Sequence, residues 1–342
     1  MKEAIRTEEE LDELLSRPSG GDVAALKEME GDLLILGVGG KMGPSLAWRA
    51  RRAAGEAGVA KRIIGVARFT GAGVREQLEG WGIETVTADL LDEGQLAALP
   101  DAPNVIYMAA RKFGSTGDEP LTWAMNSYLP ARVAVRFRRS RIVAFSSGNV
   151  YPLLPVTSGG ATEQTPLEPV GEYAQSVLGR ERILEYFSRR NGTPMTLLRL
   201  NYAAELRYGV LADIGLKVFE RRPVDLAMGM VNVIWQGDAN SVCLRAFSCC
   251  ETPPAVLNLT GPETLSVRWI AERFGEFFGI EPRFEGCEAA NALLNNAARC
   301  HALFGHPNVT AGQMIEWIAH WIEFGGIIWN KPTHFEVRDG KF

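Results

Sequence analysis

The sequence predicts an α/β fold: a doubly wound parallel sheet with a smaller C-terminal lobe and an N-terminal helical extension. Three observations predict it. Short apolar runs alternate with helical patterns between residues 31 and 200. The first run, Asp32-Leu33-Leu34-Ile35-Leu36-Gly37, is continuously apolar and stops in glycine, as a strand covered on both faces does. With 342 residues, 46% of them hydrophobic, the chain has material for one large domain or two closely joined ones.

The elements follow in order. Thr7-Glu8-Glu9-Glu10 ahead of Leu11, Leu14 and Leu15 has the form of a capping box, so a helix is expected to run to Pro18-Ser19-Gly20-Gly21, with a second short helical stretch after it. Residues 1–30 form this extension. Strands are read at Asp32–Gly37, Arg62–Ala67, Ile83–Ala88, Asn104–Met108, Arg141–Ser146 and Met195–Leu200, with helices between them; residues 31–200 make the sheet domain. Residues 201–342 lose the regular alternation and are read mainly as a substrate lobe, with a strand at Ala255–Leu259 and two late helices.

Composition narrows the function. A net charge of −5 gives no case for nucleic acid or an anionic membrane surface. The most basic stretch, Arg136, Arg138, Arg139 and Arg141, sits at a helix end, where cations suit the dipole. The start of the chain lacks an apolar signal core and no run of 18 apolar residues occurs, so a cytoplasmic protein is expected. Five cysteines without CxxC spacing argue against a disulfide framework, and Cys300, His301 and His306 lack a second ligand group, so no metal is expected.

The turn after the first strand, Gly37-Val38-Gly39-Gly40-Lys41-Met42-Gly43, places glycines at 37, 40 and 43. Glycines there allow a tight turn and close approach of backbone to a pyrophosphate, which meets the N-terminus of the next helix. A P-loop is excluded because Met42 follows Lys41 and the glycine spacing is too short. The second strand ends Gly65-Val66-Ala67-Arg68, with no carboxylate for a ribose 2′-hydroxyl and an arginine able to clamp a 2′-phosphate, which favours NADP over NAD.

The glycine spacing resembles that of short-chain dehydrogenases, and further segments resemble their extended, epimerase/dehydratase-like branch from about residue 31 to 325. Asp89-Leu90 looks like the segment directed at the adenine, Met108-Ala109-Ala110 like the strand end beside the cofactor, and Asn126 like that branch's helix asparagine. Phe145-Ser146-Ser147-Gly148-Asn149-Val150-Tyr151 resembles the motif whose serine bonds substrate, here Ser147. Tyr173-Ala174-Gln175-Ser176-Val177 resembles the Tyr-x-x-x-Lys segment except that Val177 stands where the family has lysine. The resemblance implies a Rossmann fold, Tyr173 as acid or base, a nicotinamide cofactor and a homodimer. Val177 can neither bind the nicotinamide ribose nor lower the Tyr173 pKa.

The resulting reading is an NAD(P)-dependent oxidoreductase or epimerase/dehydratase acting on a sugar derivative, a nucleotide sugar or a hydroxy acid. Lys112, on the loop after the fourth strand, is a candidate replacement cation. Asn149, Asn201 and Arg207 are candidate substrate contacts, the last as a partner for a carboxylate or phosphate. Glu172 and Glu205 are loose alternatives for a base, and Asp238 is read as structural. The competing reading is a redox-inactive dinucleotide-binding sensor or scaffold, against which the retained Ser147 and Tyr173 speak.

Overall fold

The computed structural model describes residues 5–341 apart from 113 and 115; the first four residues of the predicted extension, Phe113 and Phe342 lie outside the described residues. Seven parallel strands form one sheet: β1 (Leu33–Leu36), β2 (Ile63–Ala67), β3 (Glu84–Thr87), β4 (Asn104–Tyr107), β5 (Arg141–Ser147), β6 (Met195–Leu200) and β7 (Ala255–Leu259), in the spatial order β7-β6-β5-β4-β1-β2-β3. The order reverses at β1, which pairs with β4 on one side and β2 on the other. A crevice opens at such a switch point outside the strand C-termini.

Side chains of the central strands alternate between two apolar layers, which explains their unbroken hydrophobic runs. Leu33, Ile35, Ile63, Ile106, Val143 and Leu198 enter one layer; Leu34, Leu36, Ile64, Val66, Val105 and Ile142 enter the other. The N-terminal extension is α1 (Glu8–Ser16) and α2 (Gly20–Glu28). The predicted capping box at Thr7 is present, with Glu10 N donating to Thr7 Oγ1 at 3.2 Å, and Ser19 forms a second one with Asp22 that the sequence reading did not register. Both helices lie against α3 (Gly43–Glu56), where the buried pair Arg49–Asp22 closes to 2.7 Å.

Four helices, α4 (Val74–Gly80), α5 (Glu93–Ala98), α6 (Glu119–Trp123) and α7 (Leu129–Arg136), cover the first half of the sheet, with a π turn at Ala124–Tyr128 joining the last two. The long α8 (Gly171–Asn191) follows β5. Beyond β6 come α9 (Val210–Phe219), α10 (Gln236–Arg245), α11 (Val267–Phe278), α12 (Ala298–Phe304) and α13 (Ala311–Glu323).

The expected boundary at residue 201 is crossed twice: β7 extends the main sheet beside β6, and α10 packs on α2 and α3. The second lobe keeps its own core, with Phe274, Met314, Ile318 and Trp321 packed against α9 residues. All five cysteines are free, and no described helix is long and apolar enough to cross a membrane.

Candidate active site

The chain leaves β1 through Gly37, whose φ of +92° suits glycine, and a Cβ there would stand 2.7 Å from the Ala109 amide nitrogen at the end of β4. At Gly43, the first residue of α3, a Cβ would collide with the Val38 carbonyl. These two glycines let the turn fold tightly against its neighbours. No side chain caps α3, whose N-cap is Met42; Pro44 in its first turn has no N–H and the Gly43 amide donates to the Gly40 carbonyl at 3.2 Å, so the helix start draws an anion chiefly through its dipole. A tight glycine cradle at an uncapped helix N-terminus fits a dinucleotide pyrophosphate.

The cleft has two connected halves. Gly37, Gly40, Met108 and Ala110 belong to both. The first half is walled by Arg68, Asp89, Leu90 and Ala109, so the three residues expected at the adenosine end lie there together with one from the strand end expected beside the cofactor. Arg68 is exposed on the rim, and one Asp89 carboxylate oxygen accepts from the Leu91 amide at 3.0 Å. Lys41 and Met42 line the other half. Asn126 is placed differently from the expectation of a direct contact: it is fully buried, its Oδ1 accepting from the Arg111 amide at 2.9 Å and its Nδ2 donating to the Arg111 carbonyl at 2.8 Å. It therefore anchors the loop after β4 instead of walling the cleft.

The second half gathers Ser147, Asn149, Tyr173, Lys112 and Asn201. Ser147, at the end of β5, donates through Oγ to Asn149 Oδ1 at 2.9 Å and shares a side-chain hydrogen bond with Tyr173. Tyr173 lies in the first turn of α8, and burial raises its pKa above the ordinary value of 10.0, with the Arg180 charge and the Ser147 bond acting in the opposite sense. Such a phenol holds its proton near neutrality. The Asn201 side-chain nitrogen is buried in the cavity wall and has no acceptor among the described residues, a donor left for a ligand.

Val177 is fully buried among Val150, Tyr151, Ala161 and Tyr173, so an apolar cluster occupies the expected lysine position. A cation the sequence reading missed stands one turn further along. Arg180 is seven residues beyond Tyr173, two turns of helix and hence the same face. It is 3% exposed, donates from Nη1 to the Phe145 carbonyl at 2.7 Å and from Nη2 to Asn126 Oδ1 at 2.8 Å, and reaches the cavity wall. The seven-residue spacing could have identified it.

Lys112 does reach the site: its Nζ stands 5.9 Å from the Tyr173 ring centre and donates to the Thr333 carbonyl at 3.3 Å. Burial pushes its pKa down to about 8. Lys41 Nζ sits 3.1 Å above the Tyr208 ring, and burial, with the charges of Lys331 and Lys112, lowers its pKa to about 7.

Arg207 corrects the expectation of a substrate contact. It is buried away from the catalytic cavity and spent on Glu8, Asp12 and Glu205, at 3.1, 3.1 and 3.2 Å, so its charge is already met within the chain. Glu205 is thereby occupied as well, and Glu172 accepts from Trp123 Nε1 at 2.6 Å. Asp238 accepts from Asn308 Nδ2 and the Val309 amide, both at 3.0 Å, tying the lobes. Among the described residues, no group of three His, Cys, Asp or Glu side chains stands where it could hold a metal.

The model of the NAD dependent epimerase/dehydratase family matches residues 33–204. No curated protein matches the sequence significantly. Among solved structures, UDP-glucuronic acid 4-epimerase from Bacillus cereus in complex with NAD is similar with a TM-score of 0.71 and 16% identity, over 85% of this chain and 98% of that one. UDP-glucose 4-epimerase from Thermus thermophilus in complex with NAD gives 0.71 and 18%, over 87% and 100%. dTDP-glucose 4,6-dehydratase from Bacillus anthracis in complex with NAD gives 0.72 and 15%, over 86% and 96%. With a family match over half its length and the epimerase fold throughout, the chain belongs to the NAD dependent epimerase/dehydratase family, part of the extended short-chain dehydrogenase/reductase group.

Proposed function

We propose that the protein is an NAD(P)-dependent oxidoreductase or epimerase/dehydratase acting on a hydroxyl-bearing carbon of a sugar derivative, nucleotide sugar or hydroxy acid. The observation that carries this reading is the Ser147–Tyr173 pair facing the same cleft as the glycine cradle. A bound nicotinamide supplies the hydride donor or acceptor. Gly37, Gly40 and Gly43 hold the pyrophosphate end, with Asp89, Leu90, Ala109 and Ala110 along the adenosine and nicotinamide path. Tyr173 gives or takes the proton of the substrate oxygen, Ser147 orients that oxygen, and Asn149 and Asn201 offer further polar contacts. Arg180 contributes the fixed positive charge that Val177 cannot. Lys112 serves as a cation for the substrate.

The cofactor preference follows from Arg68. It stands on the cleft rim at the end of β2, where Gly65-Val66-Ala67 carries no carboxylate to repel a phosphate. Calorimetric titration is expected to show tighter binding of NADP than NAD. In Arg68→Ala, NADP should weaken by about tenfold, as for a lost charge-assisted hydrogen bond, with NAD unchanged. Equal weakening of both would remove Arg68 from the 2′-phosphate.

The alternative of a binding protein without turnover draws on Val177. Single-turnover reduction of bound oxidised cofactor by any hydroxyl substrate decides against it. A cytoplasmic homodimer completes the proposal. Tyr128 and Val135, on the π turn and α7, and Tyr186 on the adjoining α8 are 49%, 52% and 55% exposed, large side chains that pairing with a second copy would cover. Tyr186→Glu is expected to yield monomers in light scattering, whereas an unchanged mass would move the interface elsewhere.

A further inference from the structure

Tyr173 stands on a helix whose start is weakly secured by its own sequence. Val170, the N-cap of α8, supplies no side-chain hydrogen bond, and Gly171 enters the helix at a φ of +83°, a backbone state that suits glycine. One hold on this turn comes from α6, through the bond between Trp123 Nε1 and Glu172. A second comes from the far end of the chain. Gly340, itself at a φ of +73°, packs backbone to backbone on Gly171. A Cβ on either glycine would stand 2.8 Å from the Cα of the other and would collide with a carbonyl, that of Gly340 or that of Val170. So close an approach requires glycine on both sides, and Tyr173 follows two residues later.

The segment that ends in this contact comes from the second lobe as a strap. Beyond α13 its Trp329 amide donates to the Arg207 carbonyl at 3.1 Å, and the Trp329 ring centre lies 4.7 Å from the Arg207 guanidinium. Asp213 on α9 accepts from the Thr333 amide and hydroxyl at 2.7 and 2.6 Å. Phe335 is buried in the core of the second lobe, and Arg338 donates to the carbonyls of Ala227 and Asn291 at 2.9 and 3.0 Å. These anchors follow one another so closely that the second lobe sets the position of Gly340. Thr333 also lines the catalytic cavity, and its carbonyl accepts at 3.3 Å from Lys112 Nζ, which stands 5.9 Å from the Tyr173 ring centre. The strap thus ties the second lobe to the loop after β4 and to the start of α8, the two segments that bring Lys112 and Tyr173 to the site.

We infer that the C-terminal strap is a positioning element of the catalytic site: docked through Gly340 and anchored on the second lobe, it fixes the first turn of α8 and so holds the Tyr173 hydroxyl within reach of Ser147. A misplacement of about 1 Å can cost roughly a hundredfold in rate, so a helix start held from the α6 side alone would be a poor mount for an acid or base. This rests on the proposed function for the part that Tyr173 plays, though its test needs no substrate.

The test compares three single variants of the full chain. Gly340→Ala breaks the dock. Arg338→Gln releases the strap at its second-lobe anchor, where its bonds go to Ala227 and Asn291. Gly325→Ala is the control: Gly325 has a φ of +72° against +73° for Gly340, so both substitutions carry the same backbone strain, but a Cβ at 325 meets nothing within 4 Å. Hydrogen exchange in the first turns of α8 should quicken about tenfold in the two strap variants, as for roughly one lost hydrogen bond, and stay at the parent rate in Gly325→Ala. The Tyr173 hydroxyl is followed by magnetic resonance of labelled tyrosine ring carbons, its signal assigned with Tyr173→Phe. In the parent it titrates above 10.0 because burial opposes the phenolate; in the two strap variants water reaches the turn and the midpoint should fall towards that value. Unchanged exchange or an unmoved titration in either strap variant, or equal changes in Gly325→Ala, would overturn the proposal. Should Gly340→Ala fail to fold, Arg338→Gln carries the decision alone. A parent that transfers no hydride would instead strike the reaction reading and leave exchange and titration to decide this one.

Discussion

Replacing Tyr173 by phenylalanine is expected to lower turnover by about 10²–10⁴-fold, the usual contribution of a positioned acid or base, with little loss of stability because the ring and its packing remain. The neighbouring Arg180 makes a sharper test of how this site works without the lysine. Burial lifts the Tyr173 pKa above 10, and the Arg180 charge restrains that rise. Removing the charge in Arg180→Gln should therefore move the ascending limb of the oxidation pH profile to higher pH, by about one unit or more for a lost neighbouring cation. Below that pKa the phenolate population falls about tenfold per unit, so oxidation near neutrality slows. Arg180→Lys, which keeps the charge, should leave the limb in place even where the altered bonds to Asn126 and Phe145 reduce the rate. A lower rate with an unmoved limb in Arg180→Gln would mean that Arg180 only secures the loop after β4.

The parts of this molecule that were legible in the sequence are those governed by local rules. Leu33–Leu36 announced a strand covered on both faces because all four positions are apolar, and all four are fully buried. Thr7 and Glu10 announced a helix start because the capping box is a four-residue motif. Gly37 and Gly43 could be assigned to a tight turn after β1 because the constraint on each is steric and close at hand. What escaped was set by contacts distant in sequence. The role of Arg207 depends on Glu8 and Asp12, some two hundred residues earlier. Asn126 meets Arg180 across 54 positions, and the strap brings Thr333 to Lys112 across 221. Arg180 itself lies in a legible pattern, two helical turns from Tyr173 on α8, outside the one-turn spacing of the family's Tyr-x-x-x-Lys segment.

Arg207 carries the largest expected effect on stability. Arg207→Met keeps much of the buried volume but leaves Asp12, 8% exposed, and Glu205, fully buried, without their cation. Removing one partner of a buried ionic cluster costs about 3–5 kcal/mol, and the half-exposed Glu8 adds little to that. Because α1 is joined to the second lobe through this cluster, the N-terminal helix should open first. The pH dependence has a definite sign. Burial already raises both carboxyl groups above their ordinary values of 3.8 and 4.5, so the folded state binds more protons than the unfolded one between those values and the raised ones. Stability supplied by these groups therefore grows as pH falls through that window and is lost as pH rises through it. Without Arg207 the two pKa values rise further and the window widens, so the variant should regain part of its deficit between about pH 7 and pH 5 in chemical unfolding, where the parent changes less. Adding Asp12→Asn and Glu205→Gln to Arg207→Met should recover stability near neutrality and flatten the dependence, because the penalty comes from uncompensated buried charge. A deficit that is equal at both pH values, and unchanged in the triple variant, would mean that packing of the guanidinium against Trp329, 4.7 Å from its ring centre, outweighs the charge.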